Sequence, residues 1–176
     1  LKRGIPTVNS FFGPDAATLV LSQHGRAKIV TATNVFAHIE NVHEIVGSIL
    51  AMLDNEGMFI SESHYLLSLI ETLQYDTIYH EHFSYLSLTA AEAVLEAAGL
   101  TVFEVERLTT HGGSLRVYAQ VAGGRGLPVA RSVDLLRAEE AELGLRTSFF
   151  YSGFQSRVDL IRDQLRSFLI DARNEG

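Results

Sequence analysis

The alternation of an apolar run, a helical pattern and a second apolar run between residues 28 and 62 constrains this fold most. Residues 28–35 (KIVTATNV) are β-rich and apolar enough to predict a buried strand. Asn41 then stands where a helix cap belongs. Val42, Ile45, Val46, Ile49, Leu50 and Leu53 follow it at helical spacing. The turn Asp54-Asn55-Glu56-Gly57 leads into a second strand at 58–62. Strand, helix and strand in this order predict a parallel pair, because only a crossover can return the chain in the same direction. Ligands of such sheets collect at the carboxyl ends of the strands. That rule selects Thr33, Asn34 and His38 after the first strand, and Glu62, Ser63 and His64 after the second.

Around this unit, residues 5–12 (IPTVNSFF) read as a strand, Gly13-Pro14-Asp15 as a turn and 16–23 as a short helix. Residues 66–73 suggest another short helix, and 75–85 (YDTIYHEHFSY) an irregular segment. Thr89 and Glu92 match a capping box for a helix over 90–98 that Gly99 ends. Residues 101–108 and 115–121 read as antiparallel strands joined by Thr109-Thr110-His111-Gly112-Gly113. The break at Gly123-Gly124-Arg125-Gly126 with Pro128 divides the chain into 1–122 and 123–176. The second part carries helices over 132–145 and 150–172. Phe150, Phe154, Val158, Ile161, Leu165 and Phe168 form an apolar stripe on the last helix, read as a packing face against the sheet domain or another neighbour.

Composition narrows the function classes. The formal net charge is −7, with 14 Lys+Arg against 21 Asp+Glu, which argues against a nucleic-acid partner held by phosphate neutralisation. Cysteine is absent, excluding disulfides, cysteine zinc sites and thiol catalysis within these residues. No apolar run is long enough for a membrane span, and Leu1-Lys2-Arg3-Gly4 is too short and polar for a signal peptide, so the expected location is cytoplasmic. The chain opens on Leu1 and closes on Asn174-Glu175-Gly176 straight after a helical pattern, and both ends are expected to continue into something larger.

Chemistry concentrates in Tyr79-His80-Glu81-His82. Three titratable groups in a row are costly to bury unpaired and suit a loop lining a cleft. A histidine near its ordinary pKa of about 6.5 can take a proton at neutral pH, and a nearby carboxylate can orient it. A His–Glu general base is one reading. Hydrogen-bonded loop residues without a reaction are another. A metal site completed by His38 or Glu62 is a third, and would support a metal-dependent hydrolase. His24 and His43 read as helix-surface residues. His111-Gly112-Gly113-Ser114 offers a close backbone approach or simply a tight turn. A glycine-rich strand-to-helix loop is missing, so these residues show no nucleotide cradle of their own.

Four segments together resemble the nucleotide-sugar C-methyltransferases, which use S-adenosylmethionine on keto-deoxysugars. They are Asn34-Val35-Phe36-Ala37-His38-Ile39, Glu62-Ser63-His64-Tyr65, the run from Gln74 through Tyr79-His80-Glu81-His82 to Leu88, and Thr110-His111-Gly112-Gly113-Ser114-Leu115-Arg116-Val117-Tyr118. The resemblance implies an α/β fold: part of a Rossmann-type class I methyltransferase sheet ending in an antiparallel strand pair, followed by C-terminal helices. It implies that a zinc-binding domain, the glycine-rich loop and the ribose-holding acidic residue lie outside these residues. The 5–12 strand is then left unpaired or paired against the wrong strand, and zinc is expected only in that other domain, with no metal here. It implies His82 as the base that forms an enolate, with Glu81 tuning it, and Tyr79 and His38 lining the sugar pocket. Asn34 falls near the methionine end of the cofactor and Phe11 and Phe12 near its adenine. Glu62, His80, His111 and Ser114 fall on the substrate side. The expected partner is a nucleotide sugar. The chain alone is expected neither to bind S-adenosylmethionine tightly nor to turn over, and a truncated, non-catalytic remnant is the competing reading.

Overall fold

The computed structural model describes residues 4–176; Leu1, Lys2 and Arg3 lie outside the described residues. The elements are α1 (Pro14–His24), β1 (Ala27–Thr33), α2 (Val42–Met52), β2 (Leu53–His64), α3 (Leu66–Glu71), α4 (Leu88–Ala97), β3 (Leu100–Leu108), β4 (Ser114–Val121), α5 (Arg131–Leu143), α6 (Ser148–Tyr151) and α7 (Phe154–Glu175). The sheet order is β1-β2-β4-β3. β1 and β2 run parallel, with Thr31 beside Ile60 and Thr33 beside Glu62. β4 lies antiparallel to both β2 and β3. The α/β fold, with a parallel pair and a closing antiparallel pair, is the expected one.

Side chains of one face of the sheet build the core. Phe59, Val102, Val117 and Ala119 are buried against Val46 and Ile49 of α2 and Leu88 and Leu95 of α4. The Asn41 side chain accepts from the Glu44 backbone N–H at 3.3 Å, so the predicted cap of α2 is formed. The opposite face, with Thr31, Ile60, Arg116 and Tyr118, is only partly covered. This corrects the expected buried strand at 28–35. β1 is a sheet edge with one open face, and Ile29 is 56% exposed.

Residues 5–12 form no strand. Nothing pairs with the outer edge of β1 there, and Ile5 and Phe11 are exposed. A strand without a ladder or buried side chains gains nothing to offset the entropy of ordering it. The non-native pairing with β1 does not occur.

The capping box is also corrected. Ser87 caps α4, accepting from the Ala90 N–H at 3.1 Å. Thr89 and Glu92 are claimed by α5: the Thr89 hydroxyl donates to Glu140, and Glu92 pairs with Arg137 at 2.6 Å. Glu140, 1% exposed, accepts from the Tyr65 hydroxyl at 2.9 Å, the Leu88 N–H at 2.6 Å and the Thr89 N–H at 2.9 Å. A carboxylate from α5 thus satisfies the free N–H groups that open α4, where its charge also meets the positive end of the helix. Val133 and Leu136 of α5 enter the same core, past the glycine-rich break at 123–126.

On α7 the apolar stripe is buried only at Val158; Leu165 and Phe168 are more than half exposed. No helix among the described residues is long and apolar enough to cross a membrane.

Glu140→Ala leaves four buried donors without their acceptor. It is expected to cost about 3 kcal/mol or more, read as a lowered urea midpoint with α5 and α4 losing amide protection together.

Candidate active site

Four histidine rings come together beyond the carboxyl ends of the parallel β1–β2 pair. His38 follows β1 in a single helical turn over Phe36–His38; His64 is the last residue of β2. His82 comes from the irregular 78–86 segment, and His111 from the turn between β3 and β4. Ring centroids stand 4.8 Å apart for His38 and His82, 5.6 Å for His64 and His82, and 5.7 Å for His64 and His111. Tyr79 lies 4.2 Å and Tyr85 5.8 Å from His82.

The 78–86 segment is held by its own main chain. The Phe83 N–H donates to the Ala37 carbonyl at 2.7 Å, and Tyr65 and Leu86 form an isolated parallel bridge. These bonds place His82, which is 9% exposed, beneath the turn that carries His38.

Hydrogen bonds fix the protonation pattern. The His82 Nδ1 lies 2.8 Å from the Thr77 carbonyl oxygen. A carbonyl only accepts, so Nδ1 carries the proton and Nε2 carries the lone pair. The Tyr79 hydroxyl, 3.0 Å from Nε2, is therefore the donor. The same argument applies to His38, whose Nδ1 lies 3.1 Å from the Glu81 carbonyl, leaving Nε2 as an acceptor. The Tyr85 hydroxyl donates to the Thr77 carbonyl at 3.2 Å, and burial pushes its pKa up, keeping it a donor.

His82, Tyr79 and His38 are thus brought together, and His111 joins through His64. His80 and Glu81 are exposed, and among the described residues neither side chain bonds to this cluster; Glu81 contributes its carbonyl. Glu62 is 8% exposed and committed to Arg116 at 2.8 Å and Thr110 at 3.3 Å. The Ser114 hydroxyl donates to the Thr110 carbonyl. Glu62 and Ser114 therefore brace the β3–β4 turn that presents His111. Gly113 has φ +122° and a carbonyl that accepts from the Tyr65 N–H, and a Cβ there would stand 2.5 Å from Ser68. The glycine thus serves a tight, positive-φ connection packed against α3 rather than an approach to a ligand. No three His, Asp or Glu side chains among the described residues are placed to hold a metal ion.

Asn34 occupies the end of β1 with φ +53°, a conformation asparagine tolerates better than most residues. Its N–H donates to the Glu62 carbonyl at 2.7 Å, while its side-chain oxygen is buried without a partner. Phe12 helps line an apolar cleft of about 320 Å³ with Val30, Val35, Phe36, Ile39 and Ile45; Phe11 is fully exposed.

His64 is the residue that sequence reasoning passed over, although it was placed at the ligand edge of the sheet. Burial, then the neighbouring His82, His111 and His38, lower its pKa below the ordinary histidine value.

Residues 4–105, more than half of the chain, match a family model described as a methyltransferase domain. The chain belongs to the methyltransferase-domain family. Residues 109–176 match a second model, the C-methyltransferase C-terminal domain. The two matches meet at the β3–β4 turn, so the second begins inside the sheet. The C-methyltransferase NovU of Streptomyces niveus is 35% identical over 167 residues, covering 95% of this chain and 40% of the relative. The chain therefore spans less than half the length of that relative. Among solved structures, a putative methyltransferase in complex with the Haloferax volcanii Trm112 activator aligns with TM-score 0.46 and 14% identity over 55% of this chain and 54% of the other. Magnesium protoporphyrin IX methyltransferase from Synechocystis PCC 6803 aligns with TM-score 0.44 and 14% identity over 55% and 45%.

The His64 pKa shift has a defined sign. With a folded pKa below the unfolded value of about 6.5, the folded chain binds fewer protons than the unfolded chain. Stability is therefore full above that value and is lost as pH falls below it. The urea midpoint should drop more steeply between pH 7 and 5 in the wild type than in His64→Gln.

Proposed function

We propose that this chain supplies the substrate-activating side of an S-adenosylmethionine-dependent C-methyltransferase. Its substrate is a nucleotide-linked keto-deoxysugar, methylated on the carbon beside the ketone. The observation that carries the reading is the fixed tautomer of His82: the Thr77 carbonyl holds Nδ1–H and leaves Nε2 with the lone pair, met by the Tyr79 hydroxyl at 3.0 Å. The histidine cluster of the 34–39, 62–65, 74–88 and 110–118 segments and the relationship to a C-methyltransferase support the same chemistry.

The carbon beside a ketone is acidic because its carbanion delocalises onto oxygen. His82 Nε2 removes that proton, and the imidazolium remains bonded to the Thr77 carbonyl. With substrate bound, the Tyr79 hydroxyl turns away from Nε2 and frees its lone pair for the proton, and it donates to the enolate oxygen as charge develops there. His38 is less suited to that oxygen, since its free Nε2 is an acceptor in the neutral ring; it receives a sugar hydroxyl instead. Glu81 fixes the His38 tautomer through its carbonyl, and its exposed carboxylate and His80 face the sugar side. Glu62 and Ser114 act by bracing the turn that brings His111 to the substrate.

The cofactor, when bound, presents a methyl group on a positively charged sulfur. Its fit is tested by Asn34, whose buried, unpartnered side-chain oxygen suits an ammonium donor such as the amino-acid end of S-adenosylmethionine. Phe12, on the apolar cleft, is placed to meet an aromatic base; Phe11 is directed to solvent.

In the full-length protein, His82→Ala should lower turnover by about 10²-fold or more with little change in cofactor affinity, the scale of a lost general base. Unchanged turnover removes His82 from the role. Tyr79→Phe should reduce kcat with a smaller effect on KM, since its bond to the oxyanion exists only as charge develops.

A further inference from the structure

The assignment of His82 as base raises the question of where its proton goes, and the answer rests on that reading. His82 is 9% exposed, and once protonated it keeps one N–H on the Thr77 carbonyl. The second proton needs an acceptor before the next turnover. Tyr79 is oriented as a donor, and Tyr85 is committed to the Thr77 carbonyl. His38 borders the sugar side. The remaining histidine ring against His82 is His64, at 5.6 Å, which in turn stands 5.7 Å from His111. His111 is exposed on the β3–β4 turn.

We propose that His64 and His111 form a proton exit path from His82 to solvent. His64 is suited to relay because, among the described residues, neither of its ring nitrogens bonds to a protein group, so one can accept while the other releases. The titratable groups that act on it are His82 from the 75–85 segment, His111 from the β3–β4 turn and His38 from the turn after β1. Glu62, two residues earlier, is neutralised by Arg116. No carboxylate therefore traps a proton on His64, and the neighbouring histidines favour its release. With no hydrogen bond joining these rings directly among the described residues, each transfer in the proposed path runs through a bridging water.

The balance is simple. One C–H bond of the substrate breaks, and its electron pair forms the new C–C bond to the transferred methyl; the sulfur–methyl bond of a bound S-adenosylmethionine would break, its electron pair staying on sulfur as the neutral thioether. The proton passes from His82 Nε2 to one nitrogen of His64, the proton on the other nitrogen passes to His111, and His111 gives one to water. No oxidant or reductant is involved.

The test compares single and multiple turnover in the full-length protein. His64→Gln should leave the single-turnover methyl-transfer rate within about twofold. It should slow multiple turnover about tenfold in dilute buffer that lacks imidazole, with added imidazole restoring it. His111→Asn, whatever its effect on single turnover, should add a multiple-turnover defect in dilute buffer that imidazole restores. Its position is exposed and left-handed, which asparagine tolerates, so folding is preserved even if His64→Gln is unstable. Multiple turnover unchanged in dilute buffer, or a defect that imidazole does not repair, overturns the path. His82→Gln separates the two claims. If it retains single turnover, the base assignment fails; if it loses single turnover while His64→Gln behaves as wild type, only the path fails. A readout independent of activity is the NMR titration of the histidine rings in this chain. Replacing His82 or His111 should raise the His64 midpoint by removing a neighbouring positive charge, and an unmoved midpoint also counts against the path.

Discussion

The Thr77 carbonyl oxygen accepts from His82 Nδ1 at 2.8 Å and from the Tyr85 hydroxyl at 3.2 Å, and the chemistry of the cleft depends on it. A neutral imidazole has one donor and one acceptor nitrogen; naming the donor names the base. The carbonyl is in place because the single turn over Tyr75–Thr77 is pinned by Gln74, whose side chain donates to the Gly112 carbonyl at 2.6 Å. The turn that presents His111 and the turn that orients His82 are therefore tied to each other.

The sheet serves this arrangement in two ways. The parallel β1–β2 pair delivers Asn34 and His64 to the same edge, and the antiparallel β4 brings the β3–β4 turn alongside them. Glu62 and Arg116 face each other across the β2–β4 ladder, so their ion pair, largely sheltered on the carboxylate side, holds the edge just below the cluster. On the far side, Glu140 fastens α5 to Tyr65, the residue after His64. The histidine cluster is thereby tied to the sheet on one side and to α5 on the other.

Much of the scaffold was legible from local pattern. The α2 cap at Asn41, the antiparallel pair and the irregular histidine segment all rest on interactions within a few residues or on strict periodicity. What was not legible depended on distant partners. The strand pattern at 5–12 carried no information about whether a neighbour would pair with it. Thr89 looked like a cap until Glu140, 51 residues away, claimed its hydroxyl. The tyrosine and histidines of the 79–82 run could be read as chemically competent. Their division of labour could not: Nδ1 of His82 finds its acceptor in a main-chain carbonyl, which every residue possesses. His64 was hidden for the same reason, since only the fold sets its ring between His82 and His111.

The measurement that tests the account most directly is the tautomeric state of His82, read from long-range proton–nitrogen correlations of the imidazole rings in the ¹⁵N-labelled chain above the histidine pKa range. The account predicts a neutral ring with the proton on Nδ1 and a bare Nε2. A ring protonated on Nε2, with Nδ1 bare, would contradict it, because Nε2 would then hold no lone pair to take a proton from carbon.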